Sequence, residues 1–176
     1  MMWIFLINII IFVFFIVKNE LSVIKMDIIY IELKNEEINL IKPLWENLKE
    51  HHCELSTYFP GKYQKFSFEE RKAQILEKSG KGSLKIDIVK DRNNEQYVGY
   101  CVSSILENIG EVDSIYINEN YRNSNIGTQL MKRSLHWMDK KNVINKKIVV
   151  AVGNEELFSF YKKFNFYPRH IIIEQK

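Results

Sequence analysis

VDSIYINENYRNSNIGT, residues 112–128, predicts a strand, a short polar loop and the first turn of a helix in direct succession. Amides at the start of a helix lack intrahelical partners and lie at the positive end of its dipole, so such a loop can hold an anion. Gly127 allows close backbone approach, and Arg122 adds a positive charge. Asn123 and Asn125 tolerate left-handed conformations. An ordinary strand-to-helix connection is the alternative interpretation.

Strand and helix signals surround this stretch in both directions. Strands are predicted at residues 26–33, 83–91, 96–107, 110–117, 148–152 and 167–174. Helices are predicted at residues 36–52, 68–78 and 126–141, and a further one begins after Asn154, which would cap it. We expect the first helix to be kinked or to restart at Pro43. A Ser67 capping box begins the second. The apolar run at 148–152 is typical of a strand covered on both faces. The pattern predicts one α/β sheet with helices packed on it.

Composition favours one compact domain. The 176 residues are 46% hydrophobic and 27% charged, and no repeat of 20 to 50 residues recurs. The net charge of +3 has both signs interspersed, which argues against nucleic acid as a main partner. Cys53 and Cys101 are far apart without zinc-site spacing, so we expect reduced thiols in the cytoplasm and no bound metal.

Residues 1–25 form a separate hydrophobic segment ahead of the domain at 26–176. Sixteen of the first seventeen side chains are apolar, which is marginal for a membrane helix. Lys18 and Lys25 follow this run, and no basic residue precedes it in the sequence given. A membrane anchor here would therefore leave the domain on the cytoplasmic side. The alternative is that translation begins at Met26 and the upstream residues are a mispredicted extension.

Two quoted stretches, GEVDSIYINENYRNSNIGTQLM at 110–131 and VAVGNEELFSFYKKFNFYPR at 150–169, resemble the GNAT superfamily of acetyl-CoA-dependent N-acetyltransferases. Arg122 and Gly127 fill the first and last positions of the family motif [Q/R]-x-x-G-x-[G/A]. Asn125 and Asn165 stand where the family usually has Gly, and Asn suits the same turns. The resemblance implies an α+β domain with a mixed, mostly antiparallel central sheet and helices on both faces.

The resemblance also implies a cofactor site. The backbone of Ile115, Tyr116 and Ile117 would pair with the pantetheine arm of acetyl-CoA and polarise the thioester carbonyl. The amides of the loop and first helical turn would hold the pyrophosphate. The implied cofactor-binding residues are Ile115, Tyr116, Ile117, Arg122, Asn123, Ser124, Asn125, Ile126, Gly127, Thr128 and Asn154.

Two residues are candidates for proton transfer. Tyr161 matches the family's usual acid, and a phenol near pKa 10 keeps its proton at neutral pH. Its alternative is a buried helix aromatic. Glu111 matches a catalytic Glu of some members, and regular alternation would put Glu111 and Asp113 on the face of Ile115 and Ile117. Its alternative is a solvated residue after a turn.

The sequence favours an enzyme that transfers an acetyl group from acetyl-CoA to a primary amine, on a small molecule or a protein, by direct attack. A catalytically inactive module that binds acyl-CoA or a protein is the alternative, and a membrane-tethered enzyme is a third. The histidines at 51–52 with Cys53 read as a solvated helix end, not a metal site. The aromatic stretch 58–66 fits either core packing or an acceptor wall.

Overall fold

A computed structural model describes residues 26–175 of the chain. The strands are β1 (Ile28–Leu33), β2 (Ser83–Asp91), β3 (Gln96–Leu106), β4 (Ile109–Ile117) and β5 (Asn145–Ile148). The α-helices are α1 (Lys42–Leu55), α2 (Pro60–Lys65), α3 (Phe68–Lys81), α4 (Ile126–Lys140) and α5 (Phe158–Lys162). Short 3₁₀ helices span Asn35–Ile41, Glu119–Tyr121 and Glu155–Leu157.

The strands of the described chain form one sheet in the order β1-β2-β3-β4-β5. The first four strands pair antiparallel, and β5 pairs parallel with β4 after the α4 crossover. The mostly antiparallel sheet with packed helices confirms the predicted fold class.

Each face of the sheet carries its own core. On one face, side chains of α1 and α3 such as Trp45 and Ile75 pack against Ile86 and Tyr100. On the other face, Leu130 and Met131 of α4 and Tyr161 of α5 pack against Val89 and Cys101. Helices therefore cover both faces of the sheet, as predicted.

Local sequence signals at two helix starts are confirmed. The Ser67 side chain accepts a hydrogen bond from the Glu70 amide at 3.2 Å, and Glu70 accepts one from the Ser67 amide at 2.7 Å. Pro43 lies in the first turn of α1, so the predicted helix at 36–52 is a 3₁₀ helix followed by an α-helix. Proline is tolerated there because the first amides of a helix have no acceptor.

Two strand predictions near the C-terminus are wrong. The fifth strand ends at Ile148, and Val149 and Val152 of the apolar run are 74% and 59% exposed. Within the described residues, 167–174 forms no strand, and Ile172 is 81% exposed. The apolar composition predicted strands there, but strands form only where a neighbouring backbone supplies hydrogen bonds. Asn154 does occupy the N-cap position of the 3₁₀ helix Glu155–Leu157, as predicted, but its side chain bonds to His51 and makes no capping hydrogen bond within the described chain.

The predicted hydrophobic segment at 1–25 lies outside the described residues. From 26 to 175, no helix has the length and apolar character needed to cross a bilayer.

Candidate active site

A cleft opens where β4 and β5 diverge. The two strands pair only from Ile109 to Val112 and from Asn145 to Ile148. Beyond that point both chains line one cavity of about 690 Å³. Residues 114–117 keep β3 as a partner on one edge, while their other edge has no strand partner in the described chain. That edge can therefore offer backbone donors and acceptors to an extended ligand.

A β-bulge lies at the mouth of this cleft. Ser114 pairs with Val102, whereas Val112 pairs with Ser103, which leaves Asp113 as the extra residue. A bulge shifts the alternation of side chains by one position. The predicted common face of Glu111 and Asp113 with Ile115 is therefore wrong. Ile115 and Ile117 pack in the core beneath α4, whereas the two acidic side chains meet Lys78 of α3 on the opposite face.

Helix α4 begins beside the open edge of β4. Asn125 precedes the helix in the left-handed region at φ 68°, and its side chain makes no capping hydrogen bond within the described residues. The first intrahelical bond runs from the Gln129 amide to the Asn125 carbonyl at 3.1 Å. The amides of residues 126–128 consequently have no intrahelical acceptor, which leaves them available for an anion. Asn123 is also left-handed, at φ 61°, as its side-chain type predicts.

Arg122 and Gly127 shape the same end of the cavity. Arg122 Nε donates to the Ile117 carbonyl at 3.3 Å, and its guanidinium lies 6.0 Å from the centre of the Tyr116 ring. A Cβ on Gly127 would lie 3.5 Å from the Phe160 ring, an ordinary contact distance. Packing therefore does not require glycine at position 127, and its small size leaves the cavity side of the helix start open.

Tyr161 lies on α5. It lines the cavity and is 6% exposed. Burial raises the pKa of the Tyr161 phenol to about 12, so the hydroxyl stays protonated at neutral pH. Among residues 26–175 no hydrogen bond occupies this hydroxyl, so it can donate to a ligand.

The Glu111 carboxylate is held by two lysines. Lys78 Nζ donates to Glu111 Oε2 at 2.9 Å, and Lys147 Nζ lies 3.3 Å from the same oxygen. Partial burial raises the pKa of the Glu111 carboxyl, but the two ammonium groups outweigh it and the pKa lies below its usual value. Lys78 also forms an ion pair with Asp113. Glu111 is not among the residues that line the cavity.

The opposite wall comes from α1, through residues that sequence reasoning set aside. Leu48, His51 and His52 line the cavity. His51 Nε2 lies 3.2 Å from Oδ1 of Asn154, a side chain that is 2% exposed. Burial and the neighbouring His51 lower the pKa of His52 to about 4. No sequence signal could reveal this wall, because it depends on α1 meeting a loop about one hundred residues further along.

The cleft brings most of the predicted site residues together. Those that line it are Ile115, Tyr116, Ile117, Arg122, Asn123, Asn125, Gly127, Thr128, Asn154 and Tyr161. Ser124 and Ile126 belong to the same loop but do not line the cavity, since the Ser124 hydroxyl bonds to the Tyr121 carbonyl and Ile126 is 2% exposed in the core. Among the described residues, no group of three or more His, Cys, Asp or Glu could hold a metal ion.

These features fit a long ligand with an extended amide-bearing arm and a phosphate group. The open backbone edge suits the arm, and the free amides with Arg122 suit the phosphate. Tyr161 and His51 both line the same cavity.

Comparison with solved structures gives the same fold. A PaiA N-acetyltransferase from Thermoplasma acidophilum in complex with coenzyme A is similar, with TM-score 0.61, 21% identity and coverage of 79% of this chain and 89% of that chain. A glucosamine-6-phosphate N-acetyltransferase from Arabidopsis thaliana has TM-score 0.55 and 13% identity, with coverage of 85% of this chain and 97% of that chain. An aminoglycoside antibiotic 6'-N-acetyltransferase from Acinetobacter baumannii has TM-score 0.59 and 11% identity, with coverage of 85% of this chain and 97% of that chain. At these identities the likeness shows the fold alone.

No curated protein matches the chain in sequence. The family model described as the acetyltransferase (GNAT) family matches residues 45–166, which is more than half of the chain and includes the cleft, the α4 loop and α5. The chain therefore belongs to the GNAT acetyltransferase family, and it is an acyltransferase.

Proposed function

We propose that this protein transfers an acetyl group from acetyl-CoA to a primary amine by direct attack in a ternary complex. The observation that carries the proposal is the meeting, in one cavity, of the open edge of β4 and the uncapped start of α4. Both offer backbone hydrogen bonds that the described chain itself does not use.

Acetyl-CoA would lie across these two elements. The backbone of residues 115–117 would pair with the pantetheine arm, and an amide there would stabilise negative charge on the thioester oxygen. The amides of residues 123–128, with Arg122, would hold the pyrophosphate. In the Thermoplasma neighbour of the same fold, coenzyme A is the bound ligand. Asn154 lines the cavity beside this path and would contact the arm.

Direct attack agrees with the side chains at hand. Cys101 is buried, and burial raises the pKa of its thiol to about 12, so it is not a nucleophile at neutral pH. Tyr161 would donate its hydroxyl proton towards the departing sulfur. Glu111 offers less support as the general base, because its carboxylate is paired with two lysines outside the cavity lining.

The acceptor is an amine on a small molecule or a protein. Neighbours of the same fold are named for glucosamine-6-phosphate and for an aminoglycoside. The acceptor would enter along α1, where Leu48 and the two histidines form the wall. We expect the reaction to take place in the cytoplasm, which fractionation of the native protein with mass measurement of its N-terminus would test.

An inactive acyl-CoA-binding module is the competing function. Isothermal calorimetry with acetyl-CoA, followed by thiol release with alkyl amines, an aminoglycoside, glucosamine-6-phosphate and a lysine peptide, separates the two. We expect binding and turnover of at least one amine. Binding without turnover of any amine would favour the module, and no binding would remove both functions.

A pair of variants tests where acetyl-CoA binds. Gly127→Val places two methyl groups at the uncapped helix start, so we expect acetyl-CoA affinity to fall at least tenfold. Gly127→Ala is the control, because its Cβ fits at ordinary contact distance from Phe160. Unchanged affinity in a folded Gly127→Val protein would contradict the anion-loop assignment.

A further inference from the structure

The cavity needs a group that removes a proton from the acceptor. An alkyl amine with a pKa near 10 arrives as an ammonium ion, and only its neutral form attacks a thioester. Glu111 lies outside the cavity lining. Asp113 lines the cavity, but its side chain is 1% exposed and forms an ion pair with Lys78. The pKa of His52, near 4, makes it a weak base. His51 is the remaining imidazole on the wall.

Asn154 determines which nitrogen of His51 can accept a proton. Asn154 Oδ1 lies 3.2 Å from His51 Nε2 and, as an amide oxygen, only accepts hydrogen bonds. Nε2 therefore carries the ring proton, and Nδ1 keeps the lone pair. The 2% exposure of Asn154 keeps water from competing for this bond. Histidine is also the side chain whose ordinary pKa lies closest to neutral pH.

We infer that His51 is the general base and that Asn154 is its positioning residue; this inference rests on the proposed function. His51 Nδ1 takes one proton from the ammonium of the acceptor. The nitrogen lone pair forms the bond to the thioester carbonyl carbon, and the carbon–sulfur bond breaks. The departing sulfur accepts a hydrogen bond from the Tyr161 hydroxyl and takes the second nitrogen proton through solvent. His51 releases its proton to solvent, so each turnover yields one free proton.

His51 shares the cavity with several charged or titratable side chains: those of His52, Asp113, Arg122, Glu156, Tyr161 and Lys163. His52 lies beside it on α1, with ring centres 6.3 Å apart, and has a pKa low enough to be neutral above pH 5. On the facing loop, the Glu155 carboxylate accepts from the Gly153 amide at 3.0 Å. An acidic break in the rate above pH 5 therefore does not come from His52, and its loss in a His51 variant would assign it to His51.

The test is the pH profile of kcat/KM, from pH 5 to 9, with the amine that the wild-type protein acetylates fastest. We expect His51→Gln to lower kcat/KM about 100-fold at pH 7.5 and to abolish the acidic break, while the Kd of acetyl-CoA changes less than twofold. His136→Gln is the matched control, because His136 lies exposed on α4 outside the cavity.

A second variant tests the positioning role. In Asn154→Asp a carboxylate would accept from Nε2 and stabilise the protonated ring, so we expect the acidic break to move up by about one pH unit. A purely structural Asn154 would leave the break in place. His51→Gln with more than half of the wild-type rate, or with an unchanged acidic break, would overturn the inference while leaving the proposed function standing. A wild-type protein that acetylates no amine would overturn both, and calorimetry would show this before any variant is made.

Discussion

Replacing Tyr161 with Phe removes one oxygen atom from the wall of the cavity. The side chain is 6% exposed and packs against Phe160, with ring centres 5.3 Å apart. No hydrogen bond within residues 26–175 depends on the hydroxyl, so the ring contacts remain when it is removed. We expect the free energy of unfolding to change by less than about 0.5 kcal/mol.

The loss in rate can be bounded from the pKa of Tyr161. Burial raises that pKa to about 12, while an ordinary thiol has a pKa near 8.5. Complete proton transfer to a free thiolate is therefore unfavourable, and the hydroxyl acts mainly by hydrogen bonding to the sulfur as negative charge develops. A hydrogen bond to a charged group contributes about 1.5 to 3 kcal/mol. That energy corresponds to a loss of about 10- to 150-fold in kcat, at the lower end of general-acid effects.

The assay is kcat from thiol release, measured beside the Kd of acetyl-CoA and the thermal midpoint. Tyr167→Phe is the control, since it removes the same hydroxyl from a residue that is 64% exposed and outside the cavity lining. A loss in kcat below threefold would remove Tyr161 as the acid. A rise in Kd that matched the loss in kcat would show a binding role instead.

Two further predictions concern stability. The folded pKa of His52 lies near 4, below the ordinary value of 6.5, so the unfolded chain binds a proton that the folded chain rejects. The free energy of unfolding therefore falls as pH falls from 6.5 towards 4, by about 1 to 2 kcal/mol after allowance for partial exposure. Urea unfolding of His52→Gln should show a smaller decrease in this free energy over the same pH range. An equal decrease in the free energy of unfolding in both proteins would contradict this prediction. Gly153→Ala should cost about 2 to 4 kcal/mol, because φ is +97° and the new Cβ would lie 2.6 Å from the Leu55 carbonyl oxygen. Gly80→Ala, with nothing within 4 Å of its Cβ, is the control and should raise the thermal midpoint.

Features encoded within a few residues were predictable from the sequence. The Ser67 capping box and the position of Pro43 both depend on the first turn of a helix. The left-handed conformations of Asn123 and Asn125 follow from their side-chain type, which tolerates positive φ. These signals were enough to place the loop before α4 and hence the candidate phosphate site.

Features set by contacts between distant segments were not predictable. The run at 148–152 is as apolar as a covered strand, yet beyond Ile148 it lines a cleft, and the shorter strand uses the polar stretch Asn145–Ile148. Composition reports how apolar a segment is, but not which backbone it can pair with. The wall of α1 depends in the same way on the His51–Asn154 bond, between residues 103 positions apart.

The bulge at Asp113 explains why the predicted face of Glu111 and Asp113 was wrong, and it bears on which residue can act as the general base. A regular β4 would have kept Glu111 and Asp113 on the face of Ile115, the face covered by α4 and α5. The extra residue turns both acids towards Lys78 on α3, where ion pairs neutralise them. The same irregularity lies where β5 stops following β4, so the cleft and the displacement of the acids share one position in the strand. The base that we infer therefore comes from outside β4: it is His51 on α1, whose Nε2 lies 3.2 Å from Asn154 Oδ1.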